Sequence, residues 1–83
     1  MKLPRNLSGK DLIRSLARLG YVVSRQKGSH IRLTRAATYN HPEHHISIPD
    51  QDELKVGLLA DILDDVAATQ GITREALMEL LFG

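Results

Sequence analysis

Eighty-three residues leave room for one hydrophobic core, and a chain this short buries only a little more than roughly 60% of its unfolded surface. Its hydrophobic share of 42% is ordinary for a globular protein, and the lack of cysteine excludes a disulfide framework and a Cys-based zinc site. The net charge of +1 conceals a segregation: residues 1–35 hold nine Lys and Arg against Asp11 alone, whereas residues 36–83 hold Lys55 and Arg74 against nine acids. Such clustering points to a polyanionic partner for the first part, mutual neutralisation of the two parts being the other reading. Nothing behind Met1 resembles the apolar run of a signal peptide, and nowhere do eighteen apolar residues run together. No membrane partner is expected, and the cytoplasm is the expected location. One domain is expected over residues 1–83, with a core at about 8–69 and a helical extension at about 72–82.

The first helix is announced by Ser8 as N-cap, Asp11 as its shortened capping-box partner, and Leu7 and Leu12 at the staple positions. Leu12, Ile13, Leu16, Ala17 and Leu19 form its apolar stripe, while Lys10, Arg14 and Arg18 fall four apart as a basic ridge. Gly20 ends it. Two strands follow, at 21–26 and 30–35, with Lys27-Gly28 supplying turn chemistry. Period two turns Ile31 and Leu33 to the core and His30, Arg32 and Thr34 to the opposite face. Residues 36–43 read as a loop. A third strand at 44–49 points Ile46 and Ile48 inward and His45 and Ser47 outward. Asp50 to Glu53 form an acidic lead-in to a second helix whose buried stripe is Leu58, Leu59, Ile62, Leu63 and Val66. Gly71 breaks that helix, and Thr73 caps a last one carrying Leu77, Leu80 and Leu81. The order α-β-β-β-α plus a C-terminal helix is an α+β fold: a three-stranded antiparallel sheet with helices on one face and the other left open.

Several fragments together resemble the HicA (YcfA-like) toxins: Ser8-Gly9-Lys10-Asp11-Leu12-Ile13, Leu19-Gly20-Tyr21, Arg25-Gln26-Lys27-Gly28-Ser29-His30, His45-Ile46-Ser47-Ile48-Pro49 and Leu54-Lys55-Val56-Gly57. Gly-Ser-His after the Arg-Gln-x run is the most specific. The resemblance spans about residues 8–66. It implies a double-stranded-RNA-binding-like fold, ribosome-independent cleavage of mRNA, and neutralisation by a HicB-type antitoxin. It also implies that His30, the histidine of Gly-Ser-His, is the residue needed for activity. Val56 departs from the proline with which many members open the second helix, and residues 70–83 extend beyond the compact members.

The chemistry at His30 follows from what an imidazole can do. With a pKa of about 6.5 it gives or takes a proton near neutral pH, and RNA brings its own nucleophile in the 2′-hydroxyl. Attack of that hydroxyl on the adjacent phosphate, with His30 shuttling a proton, requires neither metal nor other cofactor. Lys27 or Arg32 would stabilise the phosphorane charge, helped by the Gly28 and Ser29 backbone N–H groups where they point outward. Ser29 is a positioner rather than a nucleophile. The other reading leaves His30 an exposed strand residue that at most touches phosphate.

His45 lies on the same face, and register decides its part. If Ile31 faces Ile48 and Leu33 faces Ile46, His45 stands opposite Thr34, roughly 13 Å along the sheet from His30 at about 3.3 Å per residue. That is too far for one phosphate; a two-residue slip would bring it opposite Arg32. A single-histidine site is favoured. His41, His44 and His45 lack a completing cysteine for zinc, and Asp61, Asp64 and Asp65 read as a solvated acidic face rather than a Mg²⁺ site. Lys10, Arg14, Arg18 and Arg25, with Lys27 and Arg32, form the phosphate-contacting set expected for duplex RNA. Three aromatic residues make a thin stacking platform for single strands. The alternative function is a non-catalytic module of the same fold that holds RNA or a protein. DNA binding through the first helix is poorer, since no helix-turn-helix pair is evident.

Overall fold

The computed structural model describes residues 3–83, so Lys2 of the basic segment lies outside the described residues. Helix α1 (Gly9–Leu16) runs into a 3₁₀ turn (Ala17–Leu19); strands β1 (Tyr21–Lys27), β2 (His30–Arg35) and β3 (His44–Pro49) follow, then helices α2 (Val56–Gln70) and α3 (Arg74–Phe82). The strands form an antiparallel sheet in the order β1-β2-β3. The fold is α+β, in the element order that the sequence periodicities predict.

Alternation sorts the sheet cleanly. Ile31, Leu33, Ile46 and Ile48 are buried and share one core with Leu12 and Leu16 of α1, Leu59, Leu63 and Val66 of α2, and Leu77 and Leu81 of α3. The helices thus cover one face, and His30, Arg32, His45 and Ser47 are exposed on the other. Ile31 pairs with Ile48, Leu33 with Ile46 and Thr34 with His45. This is the register that separates the two histidines.

Some element details differ from the periodic reading. The α-helix stops at Leu16, so Leu19 sits in the 3₁₀ turn and is only half-buried. Ala17, about 100° round the helix from Leu16, is exposed. Gly20, at φ 91°, then reverses the chain into β1. The acids at 50–53 do not reach the first turn of α2, which is capped by Lys55 backbone alone. Leu54 intervenes: it is buried, and its N–H donates to Leu7 O at 2.8 Å, so the chain is anchored before the helix begins. Leu58 flanks the buried stripe of α2 and is exposed. In α3 the core takes Met78 on one flank of Leu77 and Leu81, leaving Leu80 exposed on the other.

At the sheet end away from the β1–β2 hairpin, a polar chain lies on the covered face. The Tyr21 hydroxyl and His44 Nδ1 are 2.7 Å apart, and His44 Nε2 is 3.2 Å from Asp65 on α2. Arg35, buried among them, donates to Pro42 O at 2.9 Å and to the Tyr21 hydroxyl at 3.4 Å, and stacks over the Tyr21 ring. Its Nε has no partner among the described residues. These bonds tie β1, β2, β3 and α2 together where apolar side chains give out. Burial pushes the Tyr21 phenol above the usual tyrosine range, with Arg35 pulling it down and Asp65 raising it.

A raised acid favours its neutral form in the fold. Its stabilising contribution is present below the unfolded value and is lost as pH rises through the higher folded one. Tyr21→Phe should therefore lower stability by about 1–3 kcal/mol at neutral pH, through the unpartnered His44 ring nitrogen. It should also flatten the loss of stability above about pH 10, the ordinary tyrosine value. Urea midpoints across pH test both; an unchanged alkaline limb would clear Tyr21 of it.

Candidate nucleic-acid interface

The β1–β2 hairpin has a two-residue loop, because Lys27 pairs directly with His30. Gly28 has φ 60° while Ser29 does not enter the left-handed region. A positive φ at the first loop residue alone is the type II′ pattern, which suits the twist of adjoining strands and favours glycine there. The loop is therefore Gly28-Ser29, with Lys27 the last residue of β1 rather than part of the turn. Neither the Gly28 nor the Ser29 amide donates to a protein group among the described residues.

The hairpin is braced from behind. Asp50 N–H donates to Ser29 O at 2.7 Å, and Gly9 N–H donates to Gln51 O at 2.9 Å. A Cβ at Gly9 would stand 2.1 Å from Pro49 O, so only glycine lets α1 come this close to the end of β3. Ser8 and Asp11 complete a reciprocal capping box, and those bonds hold the Asp11 carboxyl below the usual range. The Ser8-Gly9 pair thus starts α1 and seats it against the segment that supports Ser29.

On the open face His30 is exposed, with Lys27 beside it on β1 and Pro49 on β3. Its ring makes no hydrogen bond to a protein group among the described residues. Two residues along, Arg32 is flanked by Arg25 on β1 and Ser47 on β3. The structure thus gathers His30, Lys27, Arg32, Arg25 and the Gly28-Ser29 loop on one side of the sheet.

The other three cations belong to the helix layer. Lys10 and Arg14 lie on α1, which packs against the covered face; Lys10 is 4.0 Å from Asp50, and Arg14 is 3.4 Å from Asp11. Arg18 lies in the 3₁₀ turn and donates to Leu81 O at 3.2 Å, near the C-terminal end of α3. The strand cations and the helix ridge thus sit on different layers, with Lys10 reaching toward Asp50, the residue that bonds Ser29 at the hairpin.

The remaining histidines separate too. His44 turns inward to Tyr21 and Asp65, while His45 stands on the open face. Asp64 forms a two-bond pair with Arg74 at 2.7 Å, which holds its carboxyl below the usual range.

What the sequence pattern missed is a bulge in β1. Val23 pairs with Leu33 and Arg25 with Arg32, so Ser24 is an extra residue without a partner of its own. Its hydroxyl is 2.7 Å from Thr34 Oγ1, which is 2.8 Å from His45 Nδ1; His45 Nε2 is in turn 2.8 Å from Glu43. A polar run, Ser24-Arg25-Gln26-Lys27, follows Tyr21-Val22-Val23 without alternation, and this break is the trace the bulge leaves in the sequence.

A family model described as HicA toxin of bacterial toxin–antitoxin matches residues 9–67. The chain belongs to the HicA toxin family. No match is found among curated proteins or solved structures. The HicA-matched segment begins at Gly9, the residue pressed against Pro49, and takes in the hairpin, all three strands and most of α2. It leaves α3 outside, although Leu77, Met78 and Leu81 close the core. As a HicA family member the chain is a toxin of the toxin–antitoxin type, paired in general with an antitoxin. Among the described residues no helix is long and apolar enough to cross a membrane.

Proposed function

We propose that this HicA-family chain cleaves mRNA in the cytoplasm by metal-independent acid–base chemistry at His30, and that a HicB-type antitoxin neutralises it by covering that residue. The observation that carries the reading is the exposed His30 ring beside Lys27, at the mouth of a loop whose two amides are unengaged. The 2′-hydroxyl next to the scissile phosphate attacks phosphorus as His30 takes its proton, and the bond from phosphorus to the 5′-oxygen breaks; His30 returns the proton to that leaving oxygen, giving a 2′,3′-cyclic phosphate and a 5′-hydroxyl. Lys27, Arg32 and the Gly28 and Ser29 N–H groups receive the charge that accumulates on the phosphorane oxygens. No enclosed pocket is present among the described residues. An open, cation-bearing face suits a polymer better than a small metabolite, which is usually held in a concave site.

The deciding experiment incubates the protein with RNA in EDTA. Cleavage by the intact chain and none by a folded His30→Ala chain supports the enzyme; RNA binding without cleavage by either leaves a non-catalytic binding module.

The division of cations gives a second expectation. Arg25→Glu with Arg32→Glu should weaken RNA binding and reduce the slope of log affinity against log salt by about one for each phosphate no longer neutralised. Charge reversal at Arg14 and Arg18 should change it less, because those residues lie on the helix layer. Equal slopes for the two double variants would return the helix ridge to the footprint.

A further inference from the structure

The Ser24–Thr34–His45–Glu43 chain crosses all three strands on the open face. Its polarity follows from which groups can donate and which can only accept. Glu43 is an acceptor, so in the neutral imidazole of His45 the proton sits on Nε2, directed at it, and Nδ1 is an acceptor. The Thr34 hydroxyl then donates to Nδ1, and the Ser24 hydroxyl, with Oγ 2.7 Å from Thr34 Oγ1 and 3.3 Å from Arg32 O, turns its one hydrogen to those two acceptors. Every proton in the chain is thereby committed. The valence left facing solvent is the remaining lone pairs of the Thr34 and Ser24 oxygens. Such a surface takes a neutral hydrogen-bond donor, and with the Glu43 carboxylate at its end it repels a phosphate.

We infer that the Ser24 and Thr34 hydroxyls, oriented by His45 and Glu43, form a ribose subsite that accepts a hydrogen bond from an RNA 2′-hydroxyl. This rests on the reading of the open face as an RNA surface and names one of its contacts. Along β2 the outward row is His30, Arg32, Thr34. Arg32 and its partner Arg25 lie roughly 7 Å before Thr34, a spacing over which a backbone can lay a phosphate on the arginines and the adjoining ribose on the hydroxyls. His30 and Thr34 are roughly 13 Å apart, so the hydroxyl read at Thr34 belongs to a nucleotide other than the one attacked at His30. The subsite lets the protein tell RNA from DNA away from the reacting centre.

The test measures binding, independently of cleavage. A mixed-sequence oligoribonucleotide is compared with its all-deoxy counterpart carrying deoxyuridine for uridine, so that only the 2′-hydroxyls differ; both are titrated against the His30→Ala chain in EDTA. In that background Thr34→Val should lower the ribose-to-deoxyribose affinity ratio by roughly five-fold, the worth of one ordinary hydrogen bond. Thr34→Ser should keep the ratio, and Ser24→Ala, at an exposed bulge, should lower it without touching a half-buried position. If RNA binds and the ratio is the same in Thr34→Val, Ser24→Ala and their parent, the ribose subsite is overturned while the nuclease reading stands. If His30→Ala still cleaves RNA, the catalytic reading falls, yet a reduced ratio in Thr34→Val would sustain the subsite. If the parent binds no RNA at all, both are overturned.

Discussion

His30→Ala is expected to lose about 10²-fold or more in RNA cleavage, the usual contribution of a positioned acid–base group, while melting as the parent does. The two halves of that expectation have separate grounds. The ring is exposed and makes no hydrogen bond to a protein group among the described residues, so its removal neither opens a cavity nor orphans a buried polar partner there. Surface changes of this kind fall within about 0.5 kcal/mol. The loss of rate has another origin under the proposed mechanism, in which the imidazole shuttles the proton and Lys27 and Arg32 act as fixed cations. Cleavage in EDTA and a thermal melt, run on one preparation, give both readings. Cleavage at the parental rate by a folded His30→Ala chain would remove His30 from the mechanism.

Gly9→Ala is expected to destabilise the fold by about 1–3 kcal/mol, the cost of forcing extra volume into a packed contact. Helix propensity alone predicts the opposite sign, since Ala is favoured over Gly by about 1 kcal/mol within a helix. The contact decides, because the new Cβ would lie 2.1 Å from the Pro49 carbonyl oxygen, a backbone atom that cannot rotate away. Relief requires α1 to lift from the end of β3, which stretches the Gly9–Gln51 bond and loosens the segment whose Asp50 N–H holds Ser29. Cleavage should consequently fall further than the loss of folded protein explains. Urea denaturation measures the first effect and cleavage per folded molecule the second. A variant as stable as the parent would show that the approach of α1 to Pro49 is not needed.

The fold was legible because its patterns are local. Alternation through Ile31, Leu33, Ile46 and Ile48 set the buried face, though a two-residue slip keeps the same alternation and left the β2–β3 register open, and Ser8, Gly20, Gly71 and Thr73 marked helix ends by their own conformational preferences. The placement of His30 on the open face followed from the same alternation. Less accessible were features that depend on what a residue meets across the fold. Leu58 and Leu80 are periodic yet exposed, since they flank their stripes on the sides that no neighbouring element covers. Arg35 counts as a surface cation in the composition but is buried, because Tyr21 and Pro42 O supply what its guanidinium needs. Arg18 continues the spacing of Lys10 and Arg14 but donates to Leu81 O, since α3 closes over that end of α1. The Ser24 bulge shifts β1 by one residue relative to β2, and a strict period of two has no place for it.

That extra residue also bears on how other chains can attach. β1 is an outer strand of the sheet, and an outer strand normally offers an even row of amides and carbonyls on which a neighbour can build. At Ser24 the row loses its spacing, so an incoming strand aligned with one half of β1 is out of step with the other. Sheet-to-sheet growth between copies is thereby discouraged along this side.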